Sequence, residues 1–379
     1  MSNIHPLLDG QKQLLARRYE KEKRLLGLAG TALSLVLLLA FYWSGLSWRL
    51  AHVFSGHNVS LAFLVYVGVL LAWMSVLTLP LSYYAGHIHE HKWNFSTQTA
   101  GNWLLDQAKS FAVSFVLGSL LLALLLWIMA RFPGTWWLIA GLGSALVSVI
   151  LATLFPIVIL PIFHRYAPVE DQELTGSLQK ILAQEGLKSS GFYKEDMSRK
   201  TRKENAFLAG LGKTRRVVLG DNLMENMTPP EIVSIIAHEV GHYKHRHIWK
   251  GITLGTAQQV VVFYLLHLIM RAAFPDFLLS TRSTLSLLPL LIIIAGAVSG
   301  FLFGPLGNAL SRRMEKDADL YAITHIEHKK PFLTALAGLA DRNLANAYPV
   351  RWVKVLYYSH PPIGERLELL ERFVEGGSC

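Results

Sequence analysis

The 379-residue chain is strongly apolar and basic, with 52% hydrophobic residues, only 16% charged residues and a net charge of +10. Soluble proteins average roughly 25% charged residues, so this composition excludes an ordinary soluble protein and favours a membrane protein. The charge ahead of the first long apolar run is carried by Lys12, Arg17, Arg18, Lys21, Lys23 and Arg24. Because such charge is typical of the cytoplasmic side of membrane proteins, we expect no nucleic-acid partner.

Six apolar stretches are long enough to cross a lipid bilayer as helices, which takes about 20 residues each. In chain order they are 25–47, 61–85, 111–130, 135–163, 251–270 and 285–303. Lys and Arg are most frequent at the N-terminus and in 164–250. The charge bias therefore predicts a multi-pass protein of the cell (inner) membrane, with 1–24, 86–110, 164–250 and 304–379 on the cytoplasmic side.

The segment 164–250 has the pattern of a small α/β domain. Residues 173–182 have helical apolar spacing, and 205–210 and 215–220 have the composition of short strands. Thr228-Pro229-Pro230-Glu231 matches a capping box with proline in the first turn, which predicts the start of a further helix.

That helix carries His238, Glu239 and His242 in an H-E-x-x-H pattern. Histidines four residues apart share a helical face, with Cβ atoms about 5–6 Å apart, so both rings can reach one Zn²⁺. Glu239 can face a water molecule beside the metal without binding the metal itself. Gly241 permits close approach of another element. We predict one Zn²⁺ per chain and Glu239 as the general base of peptide hydrolysis.

The third zinc ligand has to come from elsewhere, because His245 and Ile248 stand where a metzincin has its glycine and third histidine. Zinc bound by two histidines commonly takes a glutamate as well. Glu315 and Asp319 share one predicted helical face, so Glu315 can bind zinc while Asp319 receives the free N–H of a ligand histidine. Asp317 points to another face and is the weaker candidate.

Two other groups of histidines are interpreted without a metal. His245 and His247 follow the H-E-x-x-H pattern in a basic stretch, and we interpret them as basic residues at the membrane interface. His87, His89 and His91 alternate as on one side of a strand, but no further ligands accompany them. An interfacial loop is the preferred interpretation.

Three motifs together resemble the type I CAAX prenyl proteases, which are integral-membrane zinc metallopeptidases. They are HisGluValGlyHisTyrLysHis (238–245), SerArgArgMetGluLysAspAlaAspLeuTyrAla (311–322) and TyrSerHisProProIleGlyGluArgLeu (358–367). The segments 84–99, 160–168 and 204–207 are also similar to that family, so the resemblance covers about residues 61–372. Six spans rather than the seven of eukaryotic members, and Phe207 in place of a Tyr, indicate a prokaryotic member.

The resemblance implies further properties of fold, site and substrate. It implies that the membrane helices enclose a chamber, and that His360 and Arg366 stabilise the oxyanion of the tetrahedral intermediate. It implies a peptide or protein substrate that is prenylated or otherwise membrane-associated. Asn205 and Ala206 lie at a predicted strand edge to which an extended peptide could add; an edge strand without a ligand is the alternative.

The predicted fold class is a mainly α polytopic membrane bundle of about six spans with a small zincin-like α/β cytoplasmic domain. The predicted segments are a basic N-terminus (1–24), four spans (25–163) with a family-like loop at 84–110, a catalytic segment (164–250), two spans (251–303) and a C-terminal catalytic segment (304–379). Two alternatives stay open: a quality-control metalloprotease of the heat-shock type, and a non-catalytic membrane scaffold with a structural zinc.

Overall fold

A computed structural model describes residues 4–53, 59–274 and 281–375. Within these ranges, six helices are long and apolar enough to cross a membrane, in agreement with the six predicted spans. These helices are Gly10–Trp43, Leu61–Lys92, Ala100–Arg131, Trp136–Phe163, His247–Ala273 and Arg282–His325. Each predicted span lies within one of them except for the last four residues of 25–47 and the first residue of 135–163, so the chain is a multi-pass membrane protein.

The N-terminal half is helical almost throughout. Its helices are α1 (Gly10–Trp43), α2 (Leu46–Val53), α3 (Val59–Tyr83), α4 (His89–Lys92), α5 (Ala100–Arg131), α6 (Trp136–Leu154) and α7 (Leu160–Phe163). A turn of π-helix, Tyr84–Ile88, joins α3 to α4 without a break, so its backbone groups stay hydrogen-bonded. The predicted loop at 84–110 is therefore helical at both ends, and the connection is limited to 93–99.

The helix α1 extends well ahead of its apolar part. The carboxylate of Asp9 accepts hydrogen bonds from the backbone N–H groups of Gln11 and Lys12, which caps the helix. The amide of Gln13 is buried against the C-terminal segment: it donates to Asp341 at 3.1 Å and accepts from the backbone nitrogen of Ala347 at 3.0 Å. The basic half of α1 and the C-terminal segment therefore lie on the same side of the membrane helices.

The segment after α7 forms a four-stranded sheet with one helix, α8 (Gln172–Gln184). The strands are β1 (Tyr166–Pro168), β2 (Phe192–Glu195), β3 (Ala206–Ala209) and β4 (Arg216–Gly220), in the spatial order β1-β2-β4-β3. The pair β2–β4 is parallel and the other two pairs are antiparallel. The two predicted strands and the predicted helix are confirmed, and β3 lies at an edge of the sheet. The sequence analysis did not predict β1 and β2.

The remaining elements are α9 (Asp221–Asn226), α10 (Pro229–Lys244), α11 (His247–Ala273), α12 (Thr281–Val298), α13 (Gly304–His325), α14 (Lys330–Arg342), α15 (Arg351–Tyr357) and α16 (Ile363–Glu375). A buried apolar core joins β4 and α8 to α10, α13, α14 and α16. A second core joins α1, α3, α5, α6, α11 and α12 among the membrane helices. The first core fixes α10 against α13, and this contact builds the site.

Candidate metal centre

The helix α10 begins as its sequence predicts. Thr228 is the N-cap, its backbone N–H donates to Glu231 Oε2 at 2.9 Å, and Pro229 is the first helical residue. Ile236 and Val240 are fully buried in the core. This burial fixes the rotation of the helix and turns the two histidines toward α13.

The three predicted ligands meet between α10 and α13. His242 Nε2 lies 3.2 Å from His238 Nε2 and 3.2 Å from Glu315 Oε1, and His238 Nε2 lies 3.3 Å from Glu315 Oε2. His238 and Glu315 are buried, with 7% and 5% of their surface exposed. Glu315 Oε2 has no well-oriented hydrogen-bond donor among the described residues. If each of the three residues offers one ligand atom, the group can bind a single divalent metal ion.

Asp319 contacts the other ring nitrogen of His238. Its Oδ1 lies 2.9 Å from His238 Nδ1, and the residue is fully buried. Arg366 donates to both oxygens of Asp319, from Nε at 2.8 Å and from its terminal nitrogen at 2.5 Å. The buried carboxylate is therefore paired, and its contact with Nδ1 restrains the orientation of the His238 ring.

The electrostatics of His238 combine the effect of burial with that of two carboxylate partners. Burial alone would lower the pKa of His238, but its hydrogen bonds to Asp319 and Glu315 outweigh burial and raise the pKa to about 9.

Glu239 follows His238 in the helix α10, and its carboxylate is not one of the three grouped ligands. Its side chain is half-buried, and it makes no hydrogen bond or ion pair with the residues that the structure describes. The nearby charge of Arg366 interacts with it electrostatically. A carboxylate in this position is available to take a proton from a water molecule.

His360 and Arg366 both reach the site, but in different ways. His360 Nε2 lies 3.2 Å from Glu315 Oε1, and 61% of its side chain is exposed. Arg366 is buried against Asp319 through two of its nitrogens. Both residues line a cavity of about 750 Å³ that extends to Gly27, Leu28 and Thr31 of α1.

The prediction that His247 is interfacial is wrong. Only 5% of its surface is exposed, and its Nδ1 lies 2.9 Å from His242 Nδ1. The reason is the left-handed backbone of Arg246, with a φ of 54°, which separates α10 from α11 and changes the direction of the side chains that follow. His245 is half-buried and stacks on His247, with ring centroids 5.5 Å apart.

The histidines at 87, 89 and 91 lie in helix rather than in the predicted loop. His89 is buried, stacks on Tyr19 with ring centroids 5.7 Å apart, and contacts Glu22 through Nε2 at 3.1 Å. These contacts join α4 to α1. Among the described residues, His238, His242 and Glu315 form the one group with metal-binding spacing.

Gly241 sets the distance between α10 and α13. A Cβ atom at this position would lie 3.0 Å from the Cα and carbonyl oxygen of Ala318 and 3.0 Å from Tyr321 Cβ. We expect Gly241→Ala to push the helices apart and destabilise the protein by about 1–3 kcal/mol. The thermal unfolding midpoint and the metal content of the purified protein should both fall. Gly176→Ala is the control, since a Cβ at Gly176 in α8 would meet no atom within 4 Å.

Comparisons with known proteins agree with this architecture. Residues 3–165 match the description "CAAX prenyl protease N-terminal, five membrane helices", and residues 168–374 match peptidase family M48. The uncharacterized metalloprotease YhfN of Bacillus subtilis is 30% identical over 94% of this chain and 85% of its own length. CAAX prenyl protease 1 of Saccharomyces cerevisiae is 30% identical over 81% of this chain and 72% of its own length.

A solved structure has the same fold as this chain. The crystal structure of S. mikatae Ste24p aligns with a TM-score of 0.84 at 24% identity, and the alignment covers 97% of this chain and 92% of that one. The predicted fold class, a polytopic helical membrane bundle with a small α/β part, is therefore confirmed.

Proposed function

Since this chain belongs to peptidase family M48 and is a membrane metalloprotease, we propose that it is a zinc endopeptidase with His238, His242 and Glu315 as zinc ligands. One observation carries the proposal. Around zinc with bonds of 2.0–2.1 Å, neighbouring ligand atoms of a tetrahedron are about 3.3 Å apart. The two Nε2 atoms are 3.2 Å apart, and the two oxygens of the Glu315 carboxylate lie close to this distance from them: Oε2 is 3.3 Å from His238 Nε2 and Oε1 is 3.2 Å from His242 Nε2.

The proposed mechanism assigns one task to each residue. Bound zinc would polarise the scissile carbonyl and acidify water. Glu239 takes a proton from the attacking water and passes it to the leaving amine nitrogen. His360 donates a hydrogen bond to the carbonyl oxygen as its negative charge develops, and its exposed side chain can reach a substrate.

Arg366 has a second task beside the one predicted from sequence. Its Nε and one terminal nitrogen hold Asp319, which in turn holds the ring of His238. Donation to the substrate oxyanion therefore has to come from the other terminal nitrogen, which Asp319 does not engage. Because Arg366 lines the same cavity as His360, we keep this role in the proposal.

The strand β3 is the proposed docking edge for an extended substrate. The backbone nitrogen of Gly220 donates to the carbonyl of Asn205 at 2.9 Å, so Asn205 faces β4. Successive residues of a strand point their backbone groups to opposite sides, so the N–H and C=O of Ala206 face the open edge. A peptide that adds there would pair with Ala206 and lie along the sheet next to α10.

The cavity beside His360 supports a substrate that reaches the site from the membrane surface. Its walls combine the catalytic residues with Leu28 and Thr31 of α1, and with Pro362 and Ile363 ahead of Arg366. The basic half of α1 lies next to this cavity, on the side where the sequence predicts the cytoplasm. We therefore propose a membrane-associated or prenylated peptide as substrate and a cytoplasmic catalytic side in the inner membrane.

A paired peptide panel tests the proposal. Purified full-length protein should contain about one zinc per chain. It should cleave a farnesylated peptide with a KM at least about tenfold lower than the same peptide without the lipid, because two buried methylene groups alone are worth about 1.6 kcal/mol. Equal cleavage of both would favour the quality-control alternative. Absence of zinc, or no cleavage of either peptide, would contradict the proposed function.

A further inference from the structure

The two ligand histidines are held by different partners. The second nitrogen of His238 meets the carboxylate of Asp319, which Arg366 neutralises. The second nitrogen of His242 meets an imidazole: its Nδ1 lies 2.9 Å from His247 Nδ1. Metal-ligating histidines almost always donate this N–H to a carboxylate, a backbone carbonyl or water, so an imidazole acceptor is a distinctive arrangement.

The position of His247 depends on the break between α10 and α11. In one continuous helix of 3.6 residues per turn, residues five apart point about 140° away from each other and cannot meet. Arg246 adopts φ 54° and ψ 37°, which ends α10 and brings the first residue of α11 back over His242. His247 is then buried, with 5% of its surface exposed.

The contact between His242 and His247 determines which nitrogen of each ring carries the hydrogen. His242 Nε2 faces His238 and Glu315, so this nitrogen has to offer its lone pair to the metal and Nδ1 has to carry the hydrogen. Of two nitrogens 2.9 Å apart, one donates and the other accepts. His247 Nδ1 therefore accepts, and its own hydrogen lies on Nε2, which is buried 4.0 Å from an Asp317 oxygen.

We propose that His247 is a positioning residue of the metal centre: it accepts the Nδ1 hydrogen of His242 and so keeps His242 Nε2 directed at the metal. The proposal rests on the proposed function, because it takes His242 as a metal ligand. It also makes the start of the membrane helix α11 part of the metal centre, since His247 is the first residue of that helix.

Zinc affinity of full-length protein tests this role. His247→Phe keeps a ring in the buried space but removes the acceptor, and we expect the zinc dissociation constant to rise about 10–100-fold in chelator competition. His247→Asn offers a carbonyl oxygen as acceptor and should recover most of the affinity. His245→Phe is the matched control: His245 stacks on the same ring but touches no ligand, so the affinity should stay at the wild-type value.

The thermal unfolding midpoints of the metal-free variants distinguish a positioning role of His247 from a role in packing alone. If His247 only fills space, then Phe should keep the zinc affinity, while the smaller Asn should lower both the thermal unfolding midpoint and the zinc affinity; that result would overturn the proposal. A wild-type dissociation constant for His247→Phe would overturn it as well. Wild-type protein that binds zinc and cleaves peptides in the same experiments keeps the proposed function intact, so the two failures are distinguishable.

Discussion

Glu239→Gln should retain the metal ion and lose peptide cleavage. The amide has nearly the shape of the carboxylate, and Glu239 makes no hydrogen bond or ion pair with the described residues, so the fold and the ligand set are undisturbed. The amide cannot accept the proton of the attacking water, so kcat should fall by about 10²–10⁴-fold. The measurement combines zinc content with the cleavage rate of the farnesylated peptide.

Glu225→Gln is the control for this change. Glu225 is an exposed carboxylate on α9, outside the site, and the same chemical change there should leave both the zinc content and the rate at the wild-type values. A Glu239→Gln variant that still cleaves the peptide at close to the wild-type rate would remove Glu239 from the mechanism. Loss of zinc in that variant would instead place Glu239 among the ligands.

Glu315→Ala should lose the metal ion itself. The carboxylate is 5% exposed and lies within 3.3 Å of both ligand histidines, so its removal leaves two imidazoles to bind zinc. Loss of a hydrogen-bond partner behind a ligand costs about 10–100-fold in metal affinity, and loss of the ligand should cost more. Zinc content after dialysis should fall far below one per chain, and cleavage should fall with it.

The matched control is Glu327→Ala, which removes an exposed carboxylate just beyond the end of α13. Its zinc content should equal that of the wild type. If Glu315→Ala purified with a full complement of tightly bound zinc, then the third ligand would be another residue. The first candidate to replace it would be His360, whose Nε2 lies 3.2 Å from Glu315 Oε1.

The sequence predicts those parts of the site that depend on residues close together in the chain. The start of α10 follows from Thr228, Pro229 and Glu231, which lie within four residues of one another. The spacing of His238 and His242 then follows from the helix itself. Glu315 could be selected because zinc chemistry requires a third ligand and a helix-spaced carboxylate pair was available.

The contacts that the sequence did not predict are produced by tertiary structure. Arg366 and Asp319 are 47 positions apart in the chain, and no local pattern indicates that they pair. The burial of His247 depends on one left-handed residue, Arg246, within a run that otherwise has the composition of a basic surface. The strand β1 has only three residues, and β2 is held by pairing with β1 and β4, which are distant in sequence.

The buried amide of Gln13 makes the two ends of the chain interdependent. It connects α1 to Asp341 and to the backbone of Ala347, residues that lie more than 300 positions away. A fragment that begins after the fourth membrane helix would retain every proposed zinc ligand but would expose an unpaired backbone N–H and an apolar surface where α1 now lies. That fragment also keeps two membrane helices, His247–Ala273 and Arg282–His325. Isolation of the catalytic half therefore requires a replacement for α1 together with a detergent or bilayer around these two helices.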